Sequence, residues 1–402
     1  MKHRERVLKA LRHEEPDRVP IDIGGTDVTT IMVTPYLELR KHLRLGPGQT
    51  RIMDPYQMVV CVEEDVRRTL GGDVMFVFHE PNEWRNGFLP SGVRAEFPAR
   101  FLPVQQDDGS QVIVDSVGRI VLKMPKDGYY FDPVYCPLAD VTSVSDIERH
   151  LEAIEKYETP AYLDKTYEDL AKKARELYEN TDYLLVGFFG GHIFQAAQYL
   201  RGFEAFLMDL LLNEKLARAL LEKLVEANIK RFEHFASTFG KYVKVVEFQD
   251  DLGMQDRPLL SPQLYRSMIK PYHKRLFEFA RSKTDAYLFL HTDGAVAPFI
   301  PDFIEMGVDV LNPVQVSAEG MNSAKLKREF GSDISFWGGG CECQSILPFG
   351  TPEEVKDSVK RQIEELAPGG GFVFGPIHNI QDGVPAENIA AMFEAAQEYG
   401  CY

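Results

Sequence analysis

Short apolar runs alternate with longer amphipathic segments along this chain, and this alternation limits the folds open to it more than any other feature. Six runs in the second half have the length of buried strands, and two earlier runs are similar. They span residues 183–189, 242–248, 286–290, 308–312, 333–337 and 371–375, preceded by 19–23 and 73–78. Between the runs lie segments such as 352–367, in which apolar residues recur every three or four positions, as in an amphipathic helix.

Eight alternating strand and helix units predict an α/β fold in which parallel strands close into a (β/α)8 TIM barrel. An open doubly wound sheet is the competing architecture, but its strand count is normally smaller. Residues 85–140 differ in character, because the turn pairs NG and DG separate short alternating segments there, as in antiparallel hairpins. We therefore predict one barrel domain over residues 1–402, with an inserted β-hairpin subdomain at about 85–140.

The charge balance and the cysteine pattern exclude several classes of protein. Asp and Glu number 61 against 45 Lys and Arg, giving a formal net charge of −16, which disfavours a nucleic-acid partner. No apolar run approaches the ~18 residues that span a bilayer, and the charged N-terminal segment has no apolar signal core. Five scattered cysteines do not form a disulfide framework. These features predict a cytoplasmic protein without a membrane partner.

Ionisable residues directly follow several of the predicted strands. In a barrel, the loops after the strands share one mouth, where the chemistry is located. Histidine and carboxylate ligands from different strands suit zinc with one open position, so we predict a site built from His291, His378, Asp250 and Asp251. Alternatively, the histidines could simply be hydrogen-bonded at the strand ends, and the aspartates could cap a helix. Only one of the two aspartates need face inward.

Neighbouring residues extend this set. Asp293 lies two residues after His291, where it is either a further ligand or a turn former. His192 follows two glycines and could instead begin a helix. Cys341 and Cys343 are second choices as ligands, because no C-x-x-C pair accompanies them and a buried cysteine often acts as a small apolar residue.

Segments typical of one known family occur in order along the chain outside 85–140. They read RVLKALRHEEPDRVP, VGFFGGHIFQAAQYLRGFE, LSP (260–262), HTDG (291–294), MGVDVLNPVQ (306–315), LPFGTPEEV (347–355) and GPIHNIQDGVPAENI (375–389). Together they resemble the uroporphyrinogen decarboxylase superfamily, which includes the methyltransferases of corrinoid-dependent methyl-transfer systems. The resemblance implies a TIM barrel and an enzyme.

Two departures from the family pattern bear on the reaction. The decarboxylases carry an arginine-bearing segment after the first strand, whereas residues 22–27 here are acidic and lack arginine, which disfavours a substrate with many carboxylates. The related methyltransferases hold zinc with His-x-Cys, a later Cys and, in some, an acidic residue. By this resemblance those positions fall on His291, Asp293, His378 and at or beside Asp250, so both thiolates are replaced.

The resemblance and the strand-end residues together predict a zinc-dependent methyltransferase. It would move a methyl group from a methoxylated aromatic or a methylated amine to a corrinoid protein, with zinc and the partner's corrinoid (cobalamin) as cofactors. The predicted catalytic residues are Asp293, His192 and Tyr199, and the predicted substrate-binding residues are Gln315, Asn312 and Gln344.

Two other functions stay open at this stage. One is a lyase, similar to uroporphyrinogen decarboxylase, that acts without a metal on a smaller carboxylated substrate. The other is a corrinoid or tetrapyrrole carrier, against which stands the absence of the D-x-H-x-x-G pattern. Exposed barrel helices often pair, which leaves a homodimer open.

Overall fold

A curled sheet of seven parallel strands forms the centre of the protein, and the strands lie side by side in chain order. The computed structural model describes residues 1–89, 92–157 and 166–402. The strands are β1 (Val74–Val77), β2 (Leu184–Gly190), β3 (Val245–Gln249), β4 (Tyr287–His291), β5 (Val310–Asn312), β6 (Ser335–Trp337) and β7 (Phe372–Val373).

The segment 20–22 closes this sheet into a barrel. The amide of Asp22 donates to the carbonyl of Phe374 beside β7 at 2.7 Å, and Phe374 donates back to Pro20 at 2.8 Å. On its other side, the amide of Asp73 donates to Ile21 at 2.7 Å, next to β1. The predicted barrel is thus confirmed. The predicted strand 19–23 is reduced to a single bridge, because Pro20 has no N–H to donate.

Helices surround the barrel. The α-helices are His3–Leu11, Val33–His42, Glu64–Thr69, Val144–Ile147, Leu151–Lys156, Tyr167–Asn180, Phe194–Arg201, Phe203–Leu212, Glu214–Thr238, Pro262–Leu264, Lys270–Lys283, Ile300–Glu305, Ser323–Phe330, Ile346–Phe349, Pro352–Leu366 and Ala386–Tyr399, with 3-10 turns at Glu148–His150 and Ala297–Phe299 and a π-helical turn at Tyr265–Ile269. Helix Pro352–Leu366 shows why they form: Thr351 and Glu354 make a capping box at its start, and its apolar stripe is buried.

Antiparallel strands occupy the region where hairpins are predicted. Trp84–Phe88 pairs with Arg94–Pro98, and a four-stranded sheet contains Val104–Gln105, Gln111–Val114, Ile120–Met124 and Asp132–Pro133. A further hairpin, Ile52–Asp54 with Val59–Val60, lies between the closing segment and β1 and was not predicted.

The carboxyl ends of the barrel strands define the position of the candidate site. Register pairs Gln249 of β3 with His291 of β4, and His291 with Asn312 of β5, so three polar side chains stand in one row. Below this row the interior is apolar on the β4–β6 side, where the rings of Phe289 and Trp337 meet edge to face at 5.4 Å. Across the described ranges, no helix has the length and apolarity that crossing a membrane requires.

Candidate metal centre at the mouth of the barrel

Two histidines and one aspartate converge at the mouth. His291 ends β4, Asp293 follows two residues later, and His378 lies in the loop after β7. Oδ2 of Asp293 is 3.7 Å from Nε2 of His291 and 3.8 Å from Nε2 of His378. One potential ligand atom from each residue lies within 4.8 Å of the other two. Two ligands bound at about 2.0–2.1 Å in tetrahedral geometry are about 3.4 Å apart, so this spacing suits one zinc ion.

Asn312 fixes the orientation of His291. The amide nitrogen of Asn312 donates to the carbonyl of Trp337 at 2.9 Å, which turns its Oδ1 toward His291. Nδ1–H of His291 then donates to that oxygen at 2.6 Å. Nε2 of His291 therefore carries the free lone pair, and it points toward Asp293 and His378, as in histidines that bind metals.

Carboxylates dominate the electrostatics around His291. Burial lowers the pKa of His291, but the negative charges of Asp293 and Asp251 outweigh this effect and raise it above the ordinary value. Burial and the charge of Asp293 raise the pKa of Asp251. A cation placed among these groups would be stabilised by the same charges.

Asp251 holds Asp293 in place, and it lies outside the three-residue cluster. Its Oδ1 accepts a hydrogen bond from the backbone amide of Asp293 at 3.0 Å, and its Oδ2 accepts one from Nε2 of Gln195 at 3.0 Å. The predicted ligand Asp251 thus acts here through the backbone of a cluster member.

The prediction that Asp250 is a metal ligand requires correction, because its oxygens are already occupied. They accept hydrogen bonds from the amides of Ile193, Phe194 and Gln195 at 2.9, 2.6 and 2.6 Å, at the start of helix Phe194–Arg201. Nε2 of His273 lies 2.8 Å from the same carboxylate, which is 3% exposed. Asp250 is a buried helix cap, the alternative that its position after a strand had left open.

Asn312 is placed beneath the cluster, and not where a substrate could reach it. Its side chain is fully buried, and both polar atoms are used by His291 and Trp337. The prediction that it binds substrate is replaced by a role in orienting His291.

Gln315 and Gln344 meet on a third glutamine that sequence reasoning missed. The amide nitrogens of Gln315 and Gln344 both donate to Oε1 of Gln255 at 3.0 Å. Oε1 of Gln315 accepts from the amide of Gly294 at 2.7 Å, directly after Asp293. The three glutamines tie together the loops after β3, β5 and β6. Their proposed contact with substrate stays a prediction.

His192 and Tyr199 lie on the β2 side of the mouth. The ring centroids of His192 and Tyr199 are 6.2 and 6.3 Å from that of Tyr157. Burial and the charge of Asp251 raise the pKa of Tyr199, so its phenol stays protonated at neutral pH. Nε2 of Gln195 links the two sides, since it approaches Tyr199 at 3.5 Å and donates to Asp251.

The two cysteines after β6 do not join the cluster. Burial raises the pKa of Cys341 to about 12, and burial together with nearby Glu342 raises that of Cys343 to about 12. Both thiols are therefore protonated at neutral pH in the metal-free protein.

A cavity of about 790 Å³ opens beside the cluster. Its inner end is formed at the strand ends by Phe76, Phe78, Phe188 and Gln249, together with Asp27 from the loop after the closing segment. Gln249 also stands next to His291 in the sheet register, so the cavity reaches the strand adjacent to the cluster.

Two acidic residues at this inner end were missed by sequence reasoning. Nε2 of Gln249 donates to Oδ1 of Asp27 at 2.6 Å and to Oε1 of Glu247 at 3.1 Å. Glu247 is fully buried, and burial and the charge of Asp27 raise its pKa well above the ordinary value. Protonation of Glu247 is therefore favoured by its burial beside a second carboxylate. The available signal was the lone Glu within the apolar run YVKVVEF.

The fold and the cluster define a TIM-barrel protein with a candidate metal centre on its C-terminal face. The family model described as Uroporphyrinogen decarboxylase (URO-D) matches residues 137–399, more than half of the 402 residues. The chain belongs to the uroporphyrinogen decarboxylase family.

Two proteins that are similar to this chain carry different names, one a decarboxylase and the other a methyltransferase. A uroporphyrinogen decarboxylase of Anaeromyxobacter dehalogenans (strain 2CP-C) is 24% identical over 226 residues, 54% of this chain and 59% of that protein. The match thus spans less than two thirds of that relative's length. A methyltransferase from Methanosarcina mazei superposes with a TM-score of 0.59 at 16% identity, with 99% of each chain covered. This likeness shows that the two proteins share the fold.

Proposed function

We propose that this protein is a metal-dependent methyltransferase, which moves a methyl group from a methylated small molecule to a corrinoid carried by a separate protein. The observation that carries the proposal is the convergence of His291, Asp293 and His378 within 4.8 Å at the mouth of the barrel. The fold shared with the Methanosarcina mazei methyltransferase is consistent with it.

The residues present fit a zinc ion. Two imidazole nitrogens and one carboxylate oxygen form a donor set that leaves a fourth position open for substrate. The hydrogen bond from His291 to Asn312 leaves Nε2 of His291 available, and Asp251 fixes the backbone of Asp293. A bound zinc ion would supply Lewis acidity toward the oxygen or nitrogen that carries the methyl group.

The chain's own residues would place the donor and manage the proton. When the bond between the methyl carbon and its heteroatom breaks, the electron pair stays on the heteroatom, which then takes up a proton if it leaves as an anion. Tyr199 is a suitable proton donor because its phenol is protonated at neutral pH, and His192 borders the same cavity. The methyl group would pass to the reduced Co(I) centre of the partner's corrinoid, which would supply the electron pair of the new bond and would have to approach through the mouth.

The test combines metal analysis with a donor screen. Protein purified without chelators is expected to hold about one zinc per chain, and it should convert free cob(I)alamin to its methylated form with at least one methylated donor. His291→Ala and His378→Ala should each lower this rate by more than about 100-fold and lose the metal. Their unfolding free energy should stay within about 1 kcal/mol of the parent.

Cys341→Ser serves as the control, since this thiol lies outside the cluster and the variant should keep its metal and its activity. Loss of zinc in Cys341→Ser would require a different ligand set. Metal-free protein that is inactive with every methylated donor, but releases carbon dioxide from a small carboxylated substrate, would replace the proposal by the lyase function.

A further inference from the structure

Aromatic rings wall the inner end of the cavity. The rings of Phe76 and Phe78 stack at a centroid distance of 5.6 Å and an interplanar angle of 15°. Phe188 meets Phe76 edge to face at 6.2 Å. The ammonium of Lys173 sits 5.0 Å from the centroid of Phe78, so at least one of these rings already attracts a cation.

A carboxylate without a basic partner faces this aromatic wall. Asp27 borders the cavity, and its side chain accepts from the neutral amide of Gln249 and lies within hydrogen-bond reach of Glu247. Among the residues that the structure describes, no lysine or arginine forms an ion pair with Asp27 or Glu247. One oxygen of Glu247, which is fully buried, has no hydrogen-bond donor. Among the described residues, no lysine or arginine therefore compensates the charge of Asp27.

Three basic residues that line the cavity, Lys230, Arg231 and His234, each have an acidic or aromatic partner. Lys230 is 3.7 Å from Glu155, and His234 is 3.0 Å from Glu168. Arg231 stacks over Phe189, with its guanidinium carbon 4.4 Å from the ring centroid. These three groups are thus compensated, whereas Asp27 has no lysine or arginine partner among the described residues.

The inner end adjoins the candidate metal centre. Gln249, which holds Asp27, is the register partner of His291. Neighbouring strands lie about 4.8 Å apart. A group held against Asp27 and Gln249 would therefore lie one strand away from His291, whereas the rings of Phe188 and Phe76 stand further round the barrel, on β2 and β1.

We propose that the inner end of the cavity binds a methylated ammonium group, held between the aromatic rings of Phe76, Phe78 and Phe188 and the carboxylate of Asp27. This inference rests on the proposed function and deepens it, since it selects a methylated ammonium compound as the methyl donor over a methoxylated aromatic acid. The nitrogen of such a donor has no lone pair for a metal, and it keeps the electron pair of the broken bond and leaves as a neutral amine. Ring faces attract a cation, and its methyl groups fill apolar space. A donor carboxylate would instead meet an uncompensated negative charge.

Calorimetric titration with choline and with its uncharged isostere 3,3-dimethylbutan-1-ol tests the inference. The two probes have the same shape and differ in the charge of the trimethyl end. We expect choline to bind at least about tenfold more tightly to the parent protein. Equal affinities, or no binding of choline, would overturn the inference.

Three variants locate the binding. Asp27→Asn should weaken choline about tenfold and leave the isostere unchanged, and Phe188→Leu should weaken choline several-fold. Glu168→Gln, which changes the partner of His234, is the matched control and should bind choline as the parent does. Equal weakening of both probes by Phe188→Leu would indicate packing alone and would count against cation recognition. Phe188→Leu also keeps the test decisive if Asp27→Asn does not fold, as thermal unfolding would reveal.

This titration requires no zinc, corrinoid or turnover, so its outcome is separable from that of the proposed function. Choline binding without methyl transfer would leave the ammonium site intact and remove the proposed reaction. Methyl transfer from methoxylated aromatic acids alone would support the proposed reaction and overturn the ammonium site.

Discussion

Two fully buried carboxylates at different levels of the barrel have opposite surroundings. Asp73, just before β1, accepts from Nη1 of Arg6 at 2.7 Å, from Nη1 of Arg18 at 2.7 Å and from the amide of Ile21 at 2.8 Å. Glu247, in β3, has only the amide of Gln249 on one oxygen and no donor on the other.

The pKa values of the two groups reflect this difference. Burial raises the pKa of Asp73, but the hydrogen bond with His3 and the charge of Arg18 outweigh it, so the net shift is downward. For Glu247, burial and the charge of Asp27 both act upward. A fully paired carboxylate at the N-terminal end of a barrel strand is expected to stabilise the fold, whereas carboxylates nearer the mouth that lack a basic partner belong to the ammonium site proposed above.

The largest loss of stability is expected at Asp73, the paired carboxylate just before β1. Asp73→Asn removes the buried anion of Arg18 and one of the two anions that pair with Arg6, so the free energy of unfolding in urea should fall by about 3–5 kcal/mol. Asp17→Asn, which removes a 41% exposed partner of Arg6, is the control and should cost less than about 1 kcal/mol. If Asp73→Asn also costs less than about 1 kcal/mol, Asp73 does not differ from Glu247 in its contribution to stability.

A second comparison is between Asp250 and Asp251, the two neighbouring carboxylates after β3. Asp250→Asn weakens the cap on helix Phe194–Arg201 and should cost about 1–2 kcal/mol of unfolding free energy, with metal content unchanged. Asp251→Asn should show the opposite pattern, with nearly unchanged stability and about tenfold weaker metal binding. Metal loss in Asp250→Asn would show that this residue is a ligand after all.

The smallest effect is expected at Glu247 and depends on pH. Because its pKa is raised in the folded protein, its contribution to stability is fully present below the ordinary value of 4.5 and is lost as the pH rises through the folded value. Glu247→Gln removes this titration, so the gain in melting temperature over the parent should be larger at pH 8 than at pH 5. The same gain at both values would mean that Glu247 is charged throughout.

The fold was largely predictable because its signals are local. Each strand is a short apolar run, and each helix carries its own stripe and cap, as Thr351 and Glu354 show for helix Pro352–Leu366. The closing segment was predicted as a longer strand, 19–23. The neighbouring prolines lack N–H donors, but the sequence does not show which carbonyls in the segment accept hydrogen bonds from the flanking strands.

Residues of the candidate site could be predicted only where their position directly after a strand is enough to place them at the mouth. His291, Asp293 and His378 were found by that rule and lie together. The same rule failed for Asp250, because the start of helix Phe194–Arg201 occupies its oxygens and this approach is a tertiary contact. Glu247 was missed because a single acidic residue in an apolar run does not reveal its register partner.

The seam between residues 20–22 and the strands on either side has a consequence for how the chain reaches its native state. Ile21 and Phe374 meet in one bridge although 353 positions separate them along the chain. Such distant pairing is slow, because a very long loop must be ordered before the contact is made. During synthesis the ring of strands stays open until the segment around Phe374 has left the ribosome. Until then the backbone of Asp22 lacks its partner, Phe374, so closure of the barrel must wait until most of the chain has been made.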